Sequence, residues 1–580
     1  MSKTMEWPTP YWPEGVPREI SGYDKPVYSL LDETAQQFPN YTYTIFNGAK
    51  RTFSQVKNAA DKIANFLYSQ GIKKGDRVAI FLPNIPHYPE IYFGIIKAGA
   101  ICVTCNPLYT ASELNYQLND SGAKLVFCMD HHQFYPTAVE AIKETDVETT
   151  VICNVKSYLP KIKGLMGSLM GKIPQAEKHE PGHLFYDDIL KSYSTTPPKV
   201  DIDPSKDLAL IIYTGGTTGL PKGAALVHSN LVSNVIAMEE WTRIPHEPGG
   251  EPEKPRKGFH CFLGVLPFYH SFGMTTCMLG ACSSASRLIC VPDPRAGNPP
   301  FTEVLKLVND FRPTMLIAVP TIFSAFVNHS KLDKFDLSSI LACCSGGAPM
   351  PVELAKNFEE KTGSIIFEGY GLSETSPIVC ANPSFKEKRK FGSVGFPVPS
   401  TNVKILDIET GSQELPQGED GEIAVSGPQV MQGYWRRPQA DAEVMRDIDG
   451  EKYFLTGDIG HIDENGYILI TDRKKDVILV GGFNCYPREV EEILFQHPKV
   501  AQAAVIGVPD SKSGESVKAF VQLKEGEDAT EQEILDFCKE RLAGYKRPRS
   551  LEFRDELPVS AVGKVLRRKL KEEETEQKAN

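Results

Sequence analysis

Short apolar runs rich in β-branched residues recur along this chain, and stretches of helical period separate them. Val78–Leu82, Lys124–Met129, Val151–Asn154, Leu208–Tyr213, Arg287–Val291, Met315–Val319 and Ile340–Cys343 are such runs. Strands apolar on both faces, alternating with helices, belong to largely parallel sheets whose crossovers are helical. The pattern predicts an α/β fold with a large N-terminal domain of αβα layered sheets. Asn402–Leu406 and Glu422–Ser426 follow each other closely across Gly-rich turns and predict a β-rich subdomain near 395–470. After the run Tyr467–Ile470 comes the charged stretch Asp472-Arg-Lys-Lys-Asp476, a candidate boundary. Beyond it, Pro487–Gln496 and Thr530–Ala543 have helical period, and Ala501–Val508 and Val517–Leu523 read as strands. The expected division is residues 1–472 and a small α+β C-terminal domain, 473–580, ending in a solvated tail.

Composition narrows the class. The 580 residues carry 63 basic and 74 acidic side chains, a net charge of −11, with 41% hydrophobic and 24% charged residues. These are globular proportions, and the acidic balance argues against nucleic acid as a partner. The most apolar window, Met315–Val327, is interrupted by Pro320 and falls short of the roughly 18 residues that span a membrane. No secretory leader is expected, and the 13 dispersed cysteines suggest buried thiols in a reducing, cytoplasmic setting. Cys102 and Cys105 have the spacing of a metal or redox pair, but AICVTC reads as a strand, so packing is the expected role. The sequence sets no oligomeric state.

The strongest chemical signal is Tyr213-Thr-Gly-Gly-Thr-Thr-Gly-Leu-Pro-Lys-Gly223, directly after a strand. Glycines allow a tight turn that points backbone N–H groups at one anion. Thr214, Thr217 and Thr218 add hydroxyls and Lys222 adds a positive charge, so the loop is a candidate phosphate cradle. It lacks the Gly-Lys-Ser/Thr of a P-loop and the G-x-G-x-x-G of a dinucleotide fold.

This loop resembles the phosphate-loop signature of the AMP-forming, adenylate-forming enzymes: acyl-CoA synthetases, peptide-synthetase adenylation domains and beetle luciferases. The resemblance runs from about residue 25 to 570. Pro267-Phe-Tyr-His-Ser-Phe-Gly273 is similar to the family's gate segment. Ser345-Gly-Gly-Ala-Pro349 and Glu368-Gly-Tyr-Gly-Leu-Ser-Glu-Thr375 resemble the stretches that enclose adenine. Tyr453–Gly460 resembles the ribose stretch, Asp472–Asp476 the hinge, and Ser560-Ala-Val-Gly-Lys564 the C-terminal lysine motif. Gly215 and Ser373 stand where the family often has a hydroxyl residue and Thr, and Val559-Ser560 where it commonly has a basic residue and Thr.

The resemblance implies ATP-dependent activation of an acid to acyl-AMP, then transfer to CoA, with Mg2+ as the metal. It assigns Thr214, Gly215, Gly216, Thr217, Thr218, Gly219 and Lys222 to phosphate. Gly346, Gly347, Ala348, Glu368, Gly369, Tyr370, Gly371 and Ser373 fall to adenine, and Asp458 and Arg473 to ribose. Glu374, with Thr217 as a second neighbour, falls to the metal, Lys564 to adenylation and His270 to a gate or phosphate role. Lys475 occupies the hinge, about which the family's small C-terminal domain rotates between half-reactions. Gly481, Gly482 and Phe483 would line the thiol path. Small and aromatic residues at Trp241, Phe268, His270, Ser271, Gly273, Ala348 and Pro377 are candidates for the acyl pocket.

Length and the segment near 154–185 resemble fatty-acyl members, so a medium- or long-chain fatty acid is the expected substrate. An aryl-CoA ligase and an acyl-carrier-protein-loading adenylase are alternatives. A non-catalytic nucleotide or fatty-acid binding protein on the same scaffold is a third. Within that segment Tyr158, Ile162, Leu165, Leu169 and Ile173 share one helical face flanked by Lys156, Lys161, Lys163 and Lys172. Such a face suits peripheral membrane contact through 156–173. A helix packed on the protein is the competing reading, and the glycines there weaken any helix.

Overall fold

The computed structural model describes residues 7, 9–160, 173–214, 220–247, 250–510, 513–560 and 565–579. Nearly all the predicted strands form, and they assemble into four sheets. The first has nine strands in the order Phe396–Pro397, Ile378–Ala381, Ile365–Gly371, Ala342–Ser345, Met315–Ala318, Cys261–Gly264, Arg287–Cys290, Thr42–Phe46 and Ala49–Thr52. From Ile365–Gly371 to Thr42–Phe46 every neighbouring pair is parallel. The run expected at Ile340–Cys343 pairs two residues later, because register with Met315–Ala318 starts at Ala342.

The second sheet has eight strands: Gly433–Tyr434, Lys222–Val227, Leu208–Thr214, Ile101–Thr104, Arg77–Phe81, Ala123–Met129, Thr149–Cys153 and Leu184–Phe185. It is parallel from Leu208–Thr214 onward. The glycine-rich loop therefore joins two antiparallel strands, with Thr214 opposite Lys222.

Helix His87–Lys97 is buried over all its residues and packs on helix Phe53–Ser69. The second helix starts at a capping box, Thr52 and Gln55 bonding each other's backbone. Gly94 makes the contact between the two helices close, since a Cβ there would lie 2.6 Å from Ile63. One apolar core joins side chains of both large sheets, among them Ile80, Leu210, Leu263 and Leu316.

A third sheet contains Asn402–Leu406, Gly421–Ser426, Glu451–Ile462 and Met445–Ile448, with Ile468–Arg473 paired to Glu451–Ile462. The fourth is built from residues 478–553 alone: Phe483–Cys485, Ile478–Val480, Gly514–Leu523 and Val500–Asp510, with Ser550–Phe553 on Gly514–Leu523. Helices Pro487–Phe495 and Glu531–Arg541 cover it around a separate core that includes Val490, Val505 and Ile534.

The apolar window near Pro320 divides into strand Met315–Ala318 and helix Pro320–Val327, with proline in the first turn, where its missing N–H costs nothing. No helix of the described residues is long and apolar enough to cross a membrane. All 13 cysteines are buried with free thiols, and burial pushes the Cys102 and Cys105 thiols up. Among the described residues no His/Cys/Asp/Glu group is arranged to hold a metal.

Tyr158, on a face that suited either membrane contact or packing on the protein, is buried. Its hydroxyl donates to Glu90, which also takes Tyr186 at 2.6 Å and Arg51 Nε at 3.1 Å. A phenol at a buried carboxylate satisfies a polar group inside the core, and that holds Tyr158 inward. Ile173 packs against the main core, while 161–172 lie outside the described residues.

Glu368 lies midway along Ile365–Gly371, where Gly392 N–H donates to its Oε1 at 3.1 Å. Burial pushes its carboxyl from 4.5 up to about 7, against the pull of the Arg488 guanidinium. The folded chain keeps this proton where an unfolded glutamate has lost it, so stability falls as pH rises from 4.5 to 7 and then levels. Glu368→Gln keeps the acceptor and removes the titration. Its Tm, followed by thermal melts, should match wild type at pH 5 and exceed it at pH 8 by about 2–4 °C.

Candidate active site

One cavity of about 1020 Å3 lies where the first three sheets approach the C-terminal segment. Thr214 and Lys222 line it from the ends of the hairpin, while Gly215, Gly216, Thr217, Thr218 and Gly219 lie outside the described residues. Lys222 Nζ sits 5.2 Å from the centre of the Tyr434 ring. Tyr434 comes from the two-residue strand that pairs with Lys222–Val227, Tyr434 opposite Ala224. Its hydroxyl donates to Glu374 Oε1 at 2.9 Å. Met431 N–H holds the Glu374 carbonyl at 2.8 Å. Burial pushes the Glu374 carboxyl up, and bonds from its own backbone, Tyr434 and Thr214 and the field of Arg473 oppose this. Sequence reasoning missed Tyr434. Its only signal was an aromatic residue beside arginines, in Gly433-Tyr-Trp-Arg-Arg437.

The segment around Glu374 is shaped by close backbone contacts. A Cβ on Gly371 would fall 1.8 Å from the Pro377 carbonyl, and one on Gly346 2.8 Å from the Phe272 ring. Only glycine permits these approaches. Gly346, Gly347, Gly369, Tyr370, Gly371, Ser373 and Pro377 all line the cavity. Half-buried Ala348 is not a lining residue, and Glu368 points away from the cavity toward Gly392. Glu368 shares a strand face with Tyr370, but its carboxyl is turned aside to the Gly392 N–H.

Tyr370 O–H donates to Asp458 Oδ2 at 2.7 Å, and burial pushes the Tyr370 hydroxyl well up, so it stays a donor. Asp458 Oδ1 pairs with Arg473 Nε at 2.9 Å across the antiparallel register Asp458↔Arg473. The Asp458 carboxylate raises the Arg473 guanidinium further. Asp458 reaches the cavity wall through these two partners, which line it; each of its oxygens keeps a lone pair for a further donor.

His270 and Ser271 line the cavity, and Ser271 Oγ lies 3.2 Å from Ser373 Oγ. Phe272 N–H donates to His270 Nδ1 at 3.3 Å, and Phe272–Leu279 then winds as a π-helix, a rare form that occurs frequently at functional sites. Phe268 and Gly273, expected in the acyl pocket, brace this turn instead. Phe268 is fully buried with its N–H on Asn84 Oδ1 at 2.7 Å. A Cβ on Gly273 would meet the Pro267 carbonyl at 2.3 Å. Trp241 lines the cavity, its Nε1 donating to the Asn382 carbonyl at 3.3 Å. With Met238, Ile244, Phe262, Met315 and Ile317 it forms an apolar arm.

Lys475 borders the cavity, as do Ser560 and Leu566. Val559 bridges Val565 and Leu566 N–H donates to the Pro558 carbonyl at 2.8 Å, so the loop between is closed at its root. Lys564 sits in that loop, outside the described residues. Gly481 and Gly482 make the two-residue turn between Ile478–Val480 and Phe483–Cys485, with φ of +60° and +86° and no atom within 4 Å of an added Cβ. Two consecutive positive φ values favour glycine strongly. Phe483 is 61% exposed and stacks on Tyr545. None of these three borders the cavity.

Chemically, the cavity joins a polar end that includes Lys222, Arg473 and the buried Glu374 carboxylate to an apolar arm. Residues 31–435 match the model of the AMP-binding enzyme family, and residues 489–564 match the AMP-binding enzyme C-terminal domain. A long-chain-fatty-acid–CoA ligase of Bacillus subtilis is 42% identical, covering 99% of both chains. One from Escherichia coli O6:H1 is 36% identical over 97% of both. Among solved structures, the anthranilate CoA ligase AuaEII in complex with anthranoyl-AMP superposes with a TM-score of 0.83 at 26% identity, covering 97% of this chain and 99% of that one. ATP-bound MatB from Rhodopseudomonas palustris superposes at 0.76 and 29% identity, over 94% and 98%. With a matching model over most of its length and relatives that align from end to end, this chain belongs to the AMP-binding enzyme family.

Proposed function

We propose that the chain is an AMP-forming acyl-CoA synthetase acting on medium- or long-chain fatty acids. The observation that carries this is the single cavity in which Lys222, Glu374 and Tyr370 share walls with the apolar arm of Met238, Trp241 and Phe262. A fatty carboxylate entering from that arm meets the phosphate end. Its oxygen attacks the α-phosphorus of ATP, the bond to the β-phosphate oxygen breaks, and pyrophosphate leaves with the electron pair. The CoA sulfur then attacks the acyl carbon of the mixed anhydride, and AMP departs as the thioester forms. Lys222 offsets phosphate charge, Tyr370 offers its ring face to adenine, and Asp458 accepts from ribose hydroxyls.

The donor set fits Mg2+, a hard cation that takes few protein oxygens and the rest from phosphate and water. Glu374 is buried, its charge disfavoured by its surroundings, and Thr214 and Tyr434 hydroxyls stand beside it. Glu374, with Thr217 as a second neighbour, would hold the ion, which when bound neutralises triphosphate charge. Lys564 supplies the adenylation cation from the closed loop beside the cavity. Residues 473–580 form the unit that turns about Lys475 for the second step, exchanging the Lys564 loop for Gly481–Phe483. The named fatty-acid ligases at 42% and 36% identity favour a fatty acid over the aryl acid of AuaEII at 26%.

Pyrophosphate release measured over acids of increasing length should peak for medium or long chains, and a peak for benzoate-type acids would select the aryl reading. AMP should appear only with free CoA; dependence on a carrier protein would select the adenylase instead. Lys564→Ala should lower acyl-AMP formation about 100-fold or more while sparing thioester formation from supplied acyl-AMP. Equal loss of both would remove its assigned role. Gly482→Leu should do the reverse, and unaffected thioesterification would reject the proposed thiol path.

A further inference from the structure

Arg567 is the first residue of helix Arg567–Ala579, directly after the closed loop of Lys564. Its guanidinium is shared by three carboxylates. Nε and Nη2 hold Glu491 at 3.1 and 2.7 Å in a bidentate pair. Nη1 reaches Asp476 at 3.1 Å and Asp472 at 3.6 Å. Asp472, whose side chain is only 2% exposed, collects further donors. Arg473 N–H meets its Oδ1 at 2.7 Å and Arg488 N–H its Oδ2 at 2.8 Å. Arg488 stands in the first turn of helix Pro487–Phe495, where an anion is favoured by the unpaired N–H groups.

These bonds fall into two groups. Glu491, Arg488 and Arg567 all belong to the fourth-sheet unit. Asp472 belongs to the third sheet, paired with Ile459. The hinge stretch 473–476 runs between Asp472 and Asp476, both held by one Nη1. A rotation about that stretch leaves the Glu491 pair intact. It must part Asp472 from Arg567 and from the start of helix Pro487–Phe495.

We propose that Asp472 and Arg567 form a latch that holds the fourth-sheet unit in its arrangement for the first half-reaction and opens for the second. This rests on the two-step reading above. Arg567 and Asp472 are positioning residues, three and many residues from Lys564 in sequence, and neither lines the cavity.

The test compares Asp472→Asn, which keeps size and an acceptor but removes the charge, with Glu491→Gln, whose contacts stay inside one unit. Asp472→Asn should lower acid-dependent pyrophosphate–ATP exchange about tenfold while leaving thioesterification of supplied acyl-AMP unchanged or faster. Glu491→Gln should leave the ratio of the two rates at the wild-type value. A second readout needs no catalysis: trypsin cleavage after Lys474 or Lys475 in the ligand-free protein. It should be several-fold faster in Asp472→Asn and unchanged in Glu491→Gln. Equal loss of both half-reactions in Asp472→Asn, an unchanged ratio, or equal cleavage of the two variants overturns the latch. Wild-type protein without acid-dependent exchange would overturn the two-step reading, whereas the hinge cleavage pattern reports on the latch alone.

Discussion

Asp458 is the joint on which the site depends. One of its oxygens accepts Tyr370 from the first sheet and the other faces Arg473 on the neighbouring strand of the third. Two sheets that also share an apolar cluster, Val379 and Cys380 with Val403 and Ile423, are thereby joined through one carboxylate. Burying that carboxylate is costly, and the Coulombic return offsets the cost only when the remaining lone pairs are satisfied. Here a phenol and a guanidinium take one oxygen each, and a lone pair on each oxygen stays open to a further donor. The same arrangement aims the Tyr370 ring and places Arg473 at the entrance to the hinge, so the geometry of the adenine wall and the start of the moving segment are set by one residue.

Glu374 obeys the same constraint with a different solution. It is held by Tyr434 and by Met431 N–H, both from a segment that pairs at the edge of the second sheet. Among the described residues no basic side chain bonds it, and the field of Arg473 acts on its charge from a distance. The contrast with Asp458 separates two kinds of buried carboxylate. Asp458 has its charge balanced within the protein by Arg473 and keeps lone pairs for a further donor. Glu374 is hydrogen-bonded but not neutralised, a state that suits a cation brought in with the substrate.

Much of this was legible in the sequence because it is local. Doubly apolar runs became parallel strands, and the glycine loop fell between adjacent strands whose register brings Thr214 opposite Lys222. What could not be read depends on distant pairing or on side-chain direction. Tyr434 matters because a two-residue strand docks beside Lys222, about 200 positions earlier, and nothing local marks it. Phe268 and Gly273 lie in the right segment but face its interior, since the tight turn at Pro267 and the π-helix set which side chains reach the cavity. Glu368 is drawn aside by the Gly392 N–H, a partner 24 residues away that nothing local marks. Tyr158 was drawn inward by a carboxylate, Glu90, that lies 68 residues before it.

The strand pleat explains why two adjacent charges do different work. Asp472 and Arg473 end the same strand, so their side chains leave it on opposite faces. Arg473 faces Asp458 and the nucleotide cavity, while Asp472 faces helix Pro487–Phe495 and Arg567. A backbone that turns just after this pair carries one face past the other. Arg473 is retained by a buried partner at 2.9 Å, whereas Asp472 faces Arg567 at a looser 3.6 Å, and Arg567 has better partners elsewhere. The weaker of the two charge pairs lies on the side that must part, together with the Arg488 N–H at 2.8 Å, so the strand end sets a fixed anchor and a parting contact in two consecutive residues.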